Sequence, residues 1–288
     1  MRKRTSLFSI INAALLLVLV VATLYPFLYM ASISLSSTVH VLKGEVSWYP
    51  KGFTLSVYKL VLQDPRILRS YMNTFVYVAV GTAVSLIVTA TGAYALSKKE
   101  LIFSRGFTLL IVVTMFFSGG MIPTFLVVKT FGLIDTIWGM ALPGAVSTWN
   151  LIVMRTFYQG IPGELEESGR MDGLTDFGIF RRIVLPLSKA AFATIGLFYA
   201  VALWNNFLLP LLYLREPDLF PLQVIVRSIV SAGRMNSGEA FSVGGDNAVV
   251  EDSYKFAVIL IATVPILLVY PFIQKYFVKG VMIGAIKG

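Results

Sequence analysis

The densest run of side chains capable of chemistry is Glu164-Leu-Glu-Glu-Ser-Gly-Arg-Met-Asp-Gly173, continued by Leu174 through Ile183-Val-Leu-Pro186. Carboxylates, a guanidinium and a hydroxyl stand together there, in a chain that is only 14% charged. This set suits ion pairing and helix capping, and so the grip of another protein, better than bond making. The chain has no cysteine and one histidine, His40. Disulfides and thiolate metal sites are excluded, and a zinc site or a histidine-based catalytic centre is disfavoured. No G-x-x-x-x-G-K-[ST] phosphate loop occurs, so any nucleotide chemistry that powers this chain belongs to another polypeptide.

Local signals fold the run into an elbow. Ile161-Pro162-Gly163 starts a short helix whose first turn holds Glu164, Glu166 and Glu167, where carboxylates oppose the positive helix end. Gly169 is small and lies mid-helix. Asp172-Gly173 stops the helix, and Thr175 caps a second one. Phe177, Phe180, Ile183 and Val184 give the second helix an apolar stripe, and Leu185-Pro186 ends it.

The elements around the elbow are apolar. The chain is 57% hydrophobic with a mean hydropathy of +0.79, more than a soluble domain of 288 residues can bury. Six stretches lack Asp, Glu, Lys and Arg and are long enough to cross a bilayer, which needs ~20 residues of helix. They lie near Leu7–Leu35, Ser70–Ser97, Gly106–Val128, Thr136–Met154, Ala190–Leu214 and Phe256–Gln274. The expected class is an all-α membrane protein with one membrane domain, 1–288. It carries outer loops at 36–69 and 215–255, the elbow at 157–188 and a tail at 275–288.

Charge sets the expected orientation. With a cytoplasmic N-terminus, the inner segments carry 14 of the 24 basic residues against 6 of the 15 acidic ones. Lysine and arginine favour the inside, so both termini and the elbow are expected in the cytoplasm, and the net charge of +9 marks topology rather than nucleic-acid binding. Arg2-Lys3-Arg4 precedes an apolar run too long for a signal peptide's core, which predicts an uncleaved first helix.

The expected spans hold no Asp, Glu, Lys, Arg or His, which argues against a proton-coupled transporter. Their amides are softer. Asn205-Asn206 beside Trp204, together with Asn73, could line a path for a hydroxyl-rich solute, although helix packing ranks ahead for any single asparagine. Helix two is rich in small residues that allow close approach in lipid. Gly119-Gly120-Met-Ile-Pro123 and Pro143-Gly144 break helices three and four. Trp48-Tyr49-Pro-Lys-Gly-Phe53 reads as an interfacial anchor, and Ser231–Asn247 as a flexible loop that could reach a partner.

The order Glu167-Ser168-Gly169, Gly173, Ile183, Leu185 and Pro186 resembles the EAA loop of permease subunits of bacterial ATP-binding-cassette importers. Serine and glycine stand where that loop carries alanines. Six spans with this loop between the fourth and fifth look like MalG-type sugar permeases. Trp204-Asn205-Asn206-Phe207 with Pro210 is similar to a segment of that family, and the tail from Gln274 to Gly288 looks most like the LplC/YtcP subgroup.

The resemblance implies a MetI-like fold and a non-catalytic subunit in the bacterial cytoplasmic membrane that forms half of an oligosaccharide path. It implies a coupling helix at Glu164–Arg170 docked in an ATPase, with Glu167 paired to a basic residue there and Asp172 beside the turn at Gly173. It places the tail residues Gly280, Gly284, Lys287 and Gly288 between the ATPase subunits, and the loop near Ser231–Asn247 against an external binding protein. The implied partners are a second permease, two ATPase subunits, a solute-binding protein and the bilayer. ATP and Mg would lie on the ATPase subunits and no cofactor on this chain. A self-contained carrier or channel is the competing reading and needs no docking elbow. A membrane-embedded transferase would need a nucleophile or metal cluster that the sequence does not offer.

Overall fold

The computed structural model describes residues 7–98, 100–235 and 251–285, and every regular element among them is helical. Three helices are long and apolar enough to cross a membrane: α1 (Leu7–Ser34), the helix Pro65–Ser97, and the Glu251–Pro271 part of the last helix. The number rises to five when each of two sharply bent helix pairs counts as one span.

Residues 1–68 and 225–264 form one compact unit. Its first helix, α1, is apolar all round and leaves its most apolar window unburied, as a lipid-facing span does. Thr23 returns its hydroxyl to the Leu19 carbonyl at 2.8 Å, which removes a free donor from an apolar surface. The segment that follows holds two short helices, α2 (Thr38–Leu42) and α3 (Ser56–Gln63). Trp48 and Phe53 are exposed there, in keeping with an interfacial anchor. His40 pairs with Glu45 at 2.6 Å.

Helix α4 (Pro65–Ser97) begins five residues before the expected span, because Asp64 and Pro65 form a ready helix start. Proline fits the first turn, and the Asp64 carboxylate accepts the Arg66 backbone N–H at 2.9 Å and the Arg66 guanidinium at 2.8 Å. The Tyr254 hydroxyl donates to the same carboxylate at 3.2 Å. The bond from Arg66 holds the Asp64 carboxyl below its ordinary pKa, against the opposing effect of burial. A depressed carboxyl contributes stability above the ordinary carboxylate pKa and loses it as pH falls through the folded value. Asp64→Ala is therefore expected to cost about 1 kcal/mol at neutral pH. Thermal unfolding of the purified protein should show a lower midpoint than wild type at neutral pH, and a gap that closes in acid.

Residues 69–224 and 265–288 form the second unit. It takes in most of α4, then α5 (Ser104–Phe116), α6 (Met121–Thr130), α7 (Ile137–Ala141), α8 (Thr148–Gln159), α9 (Gly163–Met171), α10 (Asp176–Leu187), α11 (Lys189–Trp204) and α12 (Leu208–Tyr213). Helix α13 (Leu222–Met235) begins in this unit and α14 (Glu251–Ala285) ends in it. Small residues on α4 serve the expected purpose: Ala90 and Ala93 are buried in a cluster with Tyr94, Met154, Tyr158, Phe180, Ile195 and Tyr199.

The structure divides three of the expected spans. Gly106–Val128 becomes α5 and α6, which meet at 113° across Phe117–Gly120, where Gly120 takes φ +84°. Thr136–Met154 becomes α7 and α8, separated where Pro143 removes a donor and Gly144 takes φ +81°. Ala190–Leu214 breaks at Asn205–Phe207 into α11 and α12. Helix α13 carries on through Ser231 to Met235, so the first part of the glycine- and serine-rich stretch is helical. Residues 236–247 of the expected flexible loop lie outside the described residues.

Helical elbow and candidate solute path

Helix α9 ends in a Schellman arrangement. The Leu174 N–H donates to the Gly169 carbonyl at 2.9 Å and the Gly173 N–H to the Arg170 carbonyl at 3.0 Å. Gly173 stands at φ +78°, a conformation that costs a side-chain-bearing residue about 1–2 kcal/mol. Thr175 then caps α10, its hydroxyl accepting the Gly178 N–H at 3.2 Å. Both sequence signals for the turn are thus realised as hydrogen bonds.

Gly169 is buried, and a Cβ built on it would stand 2.8 Å from Ile183 Cδ1 and 3.2 Å from Ile179 Cγ1. This close approach seats α9 on α10 and brings Ile183, sixteen positions away from Glu167, against the same helix. Helix α10 contains one π-type turn, Phe180–Val184, and meets α11 at 83° past Leu185, Pro186 and Leu187. Buried Ser188 sits at that corner and returns its hydroxyl to the Val184 carbonyl at 2.7 Å.

The expected stripe on α10 is corrected in one place. Ile179, Phe180 and Val184 are buried and Ile183 packs beside them, but Phe177 is 70% exposed. The wider π turn shifts the inward face toward Ile179, which the regular helical period did not predict. Phe177 instead joins Met171, 89% exposed, as a large apolar side chain on the outside of the elbow. Glu164, Glu167, Ser168 and Asp172 are exposed with them. Sequence reasoning passed over Met171, although a large apolar residue beside an Asp-Gly stop was the available signal.

Glu166 departs from its neighbours. Its carboxylate pairs with Lys98 at the end of α4, with 23% and 16% of the two side chains exposed. Burial works against the Lys98 charge, but the bonds to Glu166 and Tyr94 outweigh it and raise the Lys98 pKa.

The residues expected along a solute path are occupied by the fold. Asn73 donates to the carbonyls of Asp218 at 2.8 Å and Phe220 at 3.2 Å. Tyr77 donates to the Leu219 carbonyl, and Thr74 accepts the Leu222 N–H. These bonds fasten segment 215–222 to α4. Asp135, at φ +57°, fastens its start by accepting the N–H groups of Arg215 and Glu216. Asn205 returns its amide to the Val201 carbonyl at 2.9 Å and Asn206 caps α12 through the Leu209 N–H at 3.2 Å. Both amides serve the break between α11 and α12. Trp204 is buried against Tyr71 and Phe75, and its indole N–H has no partner among the described residues.

A cavity of about 430 Å³ lies elsewhere in the unit, lined by Gly144, Ser147, Trp149, Asn150, Phe198, Tyr199 and Ala202. The break between α7 and α8 opens it. The Tyr199 hydroxyl accepts the Ser147 N–H at 3.0 Å and bonds Thr89 at 2.7 Å, which fixes one aromatic wall. Aromatic faces with an amide and a hydroxyl suit a sugar ring's apolar face and its hydroxyl edge. Of the tail residues, Gly280 and Gly284 lie within the backbone of α14, whereas Lys287 and Gly288 lie outside the described residues.

Residues 65–283 match the family model described as the binding-protein-dependent transport system inner membrane component. The chain is 41% identical over 285 residues to the polygalacturonan/rhamnogalacturonan transport system permease protein YtcP of Bacillus subtilis, covering 99% of this chain and 100% of that one. It is 44% identical over 267 residues to protein LplC of the same organism, covering 92% and 90%. One chain of the crystal structure of a bacterial ABC transporter involved in the import of the acidic polysaccharide alginate superposes with a TM-score of 0.87 at 34% identity, over 96% of this chain and 99% of that chain. The elbow, the apolar helices and these matches agree: the chain belongs to the binding-protein-dependent transport system inner membrane components, the non-catalytic permease subunits of ATP-binding-cassette importers.

Proposed function

We propose that this permease forms half of the membrane path of an oligosaccharide importer and converts closure of an ATPase pair into alternating access. The observation that carries this reading is the outer surface of the elbow. Glu164, Glu167, Ser168, Asp172, Met171 and Phe177 are exposed on a Schellman-closed turn held rigidly by Gly169, Gly173, Ile183 and the corner after Leu185-Pro186. Exposed Met171 and Phe177, with exposed Glu164, Glu167 and Asp172 on the same elbow, suit a cleft with an apolar floor and basic groups.

The partner set is a second permease, two ATPase subunits that carry ATP and Mg, and an external solute-binding protein. Both termini and the elbow lie in the cytoplasm, in line with the lysine and arginine bias. The end of the tail, with Gly280, Gly284, Lys287 and Gly288, extends between the ATPase subunits. The solute passes the cavity at Trp149, Asn150 and Tyr199, while Asn73, Asn205 and Asn206 hold segment 215–222 and the break between α11 and α12. The names of two of the relatives, which give polygalacturonan/rhamnogalacturonan and alginate as their cargo, support a saccharide of that kind.

Co-purification of the tagged chain with mass identification of its partners tests the assembly. Reconstitution of the whole complex with polygalacturonan, rhamnogalacturonan and alginate fragments then tests the cargo. ATP-dependent uptake of one of these fragments is the expected result. Uptake by this chain alone in liposomes, without an ATPase, would overturn the reading.

A further inference from the structure

Chain connectivity ties the elbow to two helices, α8 before it and α11 after it. The structure adds a third tie, to the last turn of α4. The Tyr94 hydroxyl donates to the Asp176 carbonyl on α10 at 3.3 Å. Lys98 Nζ pairs with Glu166 on α9 and stands 4.1 Å from the centre of the Tyr94 ring. Arg155 of α8 donates through Nε to the Leu96 carbonyl at 2.9 Å. Both elbow helices and α8 therefore hold a group on the five residues 94–98.

The Lys98–Glu166 pair is the sheltered member of this set. Its side chains are 16% and 23% exposed, against 48% and 72% for the elbow's other ion pair, Arg170–Asp176. Exposed pairs contribute little, whereas cutting a sheltered pair strands a charge. The ammonium also rests on an aromatic face, which adds a second attraction from the same helix end. A carboxylate held in this way is not free to meet a basic residue on a partner.

We propose that Glu166 is a positioning residue rather than part of the surface offered to the ATPase, and that its ion pair with Lys98 makes α4 travel with the coupling helix. Movement of the elbow then reaches α4 directly, although some 70 residues of chain separate the two. This rests on the reading of the elbow as the ATPase dock. Glu167, one position on and exposed, remains available for the contact across the interface.

The chain contains no cysteine, so two introduced ones report cleanly. The full importer, with Ala95→Cys on α4 and Leu165→Cys on α9 carrying spin labels, is compared without nucleotide and trapped with ATP and vanadate. With Glu166 in place, the label separation should be narrow and the same in both states. In Glu166→Gln it should broaden and shift on trapping. The charge-swapped Lys98→Glu, Glu166→Lys double variant should restore the narrow, state-independent separation. A purely structural role for Glu166 would leave no dependence on nucleotide. An unshifted separation in Glu166→Gln, or a swapped pair as loose as the single variant, would overturn the proposal while leaving the docking reading intact. A wild-type chain that binds no ATPase subunit would overturn both.

Discussion

Leucine at position 169 is expected to abolish uptake and release the ATPase subunits, whereas alanine there should leave both nearly intact. Gly169 has three aliphatic side chains around the position of an added Cβ: Ile183 Cδ1 at 2.8 Å, Ile179 Cγ1 at 3.2 Å and Leu174 Cδ1 at 3.6 Å. The nearest atom is the far end of a flexible side chain, so a single methyl asks that Ile183 turn aside and that Ile179 give by a few tenths of an ångström. Leucine adds three further carbons where Ile179 and Val184 are already fully buried. Overpacking of this kind costs about 1–3 kcal/mol in a well-packed core. Here the strain has one easy release, the lifting of α9 from α10, and that motion would destroy the docking surface proposed for the elbow. Uptake by the reconstituted importer and retention of the ATPase on the tagged permease measure the two effects. Equal loss in Gly169→Ala and Gly169→Leu would show that the close approach does not matter.

The second large effect is expected at Glu167. Its carboxylate is exposed on α9, while that of its neighbour Glu166 is held by Lys98. Removing one partner of a charged pair that becomes buried in an interface costs about 2–5 kcal/mol, because the other charge is left without a partner. Glu167→Ala should therefore weaken ATPase association at least about thirtyfold, since each 1.4 kcal/mol is a factor of ten. The isolated permease should unfold at an unchanged temperature, because that side chain is exposed and bonds no partner among the described residues. Titration of the purified permease pair with ATPase subunits reads the affinity, and thermal unfolding reads the fold. Unchanged affinity would move the contact to Met171 and Phe177, the apolar part of the same surface.

The elbow was legible because its signals are local. A residue that tolerates positive φ must follow the end of α9, and Gly173 is that residue. A short hydroxyl side chain must precede α10, and Thr175 is that residue. The misread position, Phe177, failed for a physical reason: the π turn at Phe180–Val184 changes the period on which the apolar stripe was laid out. The spans were legible as apolar length but not as straight helices. Composition says that Gly106–Val128 is oily. It does not say that the backbone turns by 113° at Gly120.

The polar residues inside the bundle were the least legible. Asn73, Asn205 and Asn206 have the chemistry of a sugar site, and each spends its amide on the fold. An amide in an apolar setting must find a partner, and backbone groups of the nearby loops and helix ends are the nearest ones. Lys98 and Glu166 show the same limit for charge, since a pair 68 positions apart has no sequence signal that joins it.

By itself, the order of residues determined the class of the protein, the position of its apolar runs, the helix–turn–helix at 164–186 and the kinship that the elbow spacing announces. Hydrophobic length, caps and turn glycines act over a few residues, so they are written where they act. Only the tertiary structure decided which carboxylates of the elbow face outward, which asparagines are spent on carbonyls, and where a cavity opens between a broken helix and α11. Those outcomes depend on which distant side chain arrives within hydrogen-bonding or van der Waals reach, and packing of the whole unit settles that.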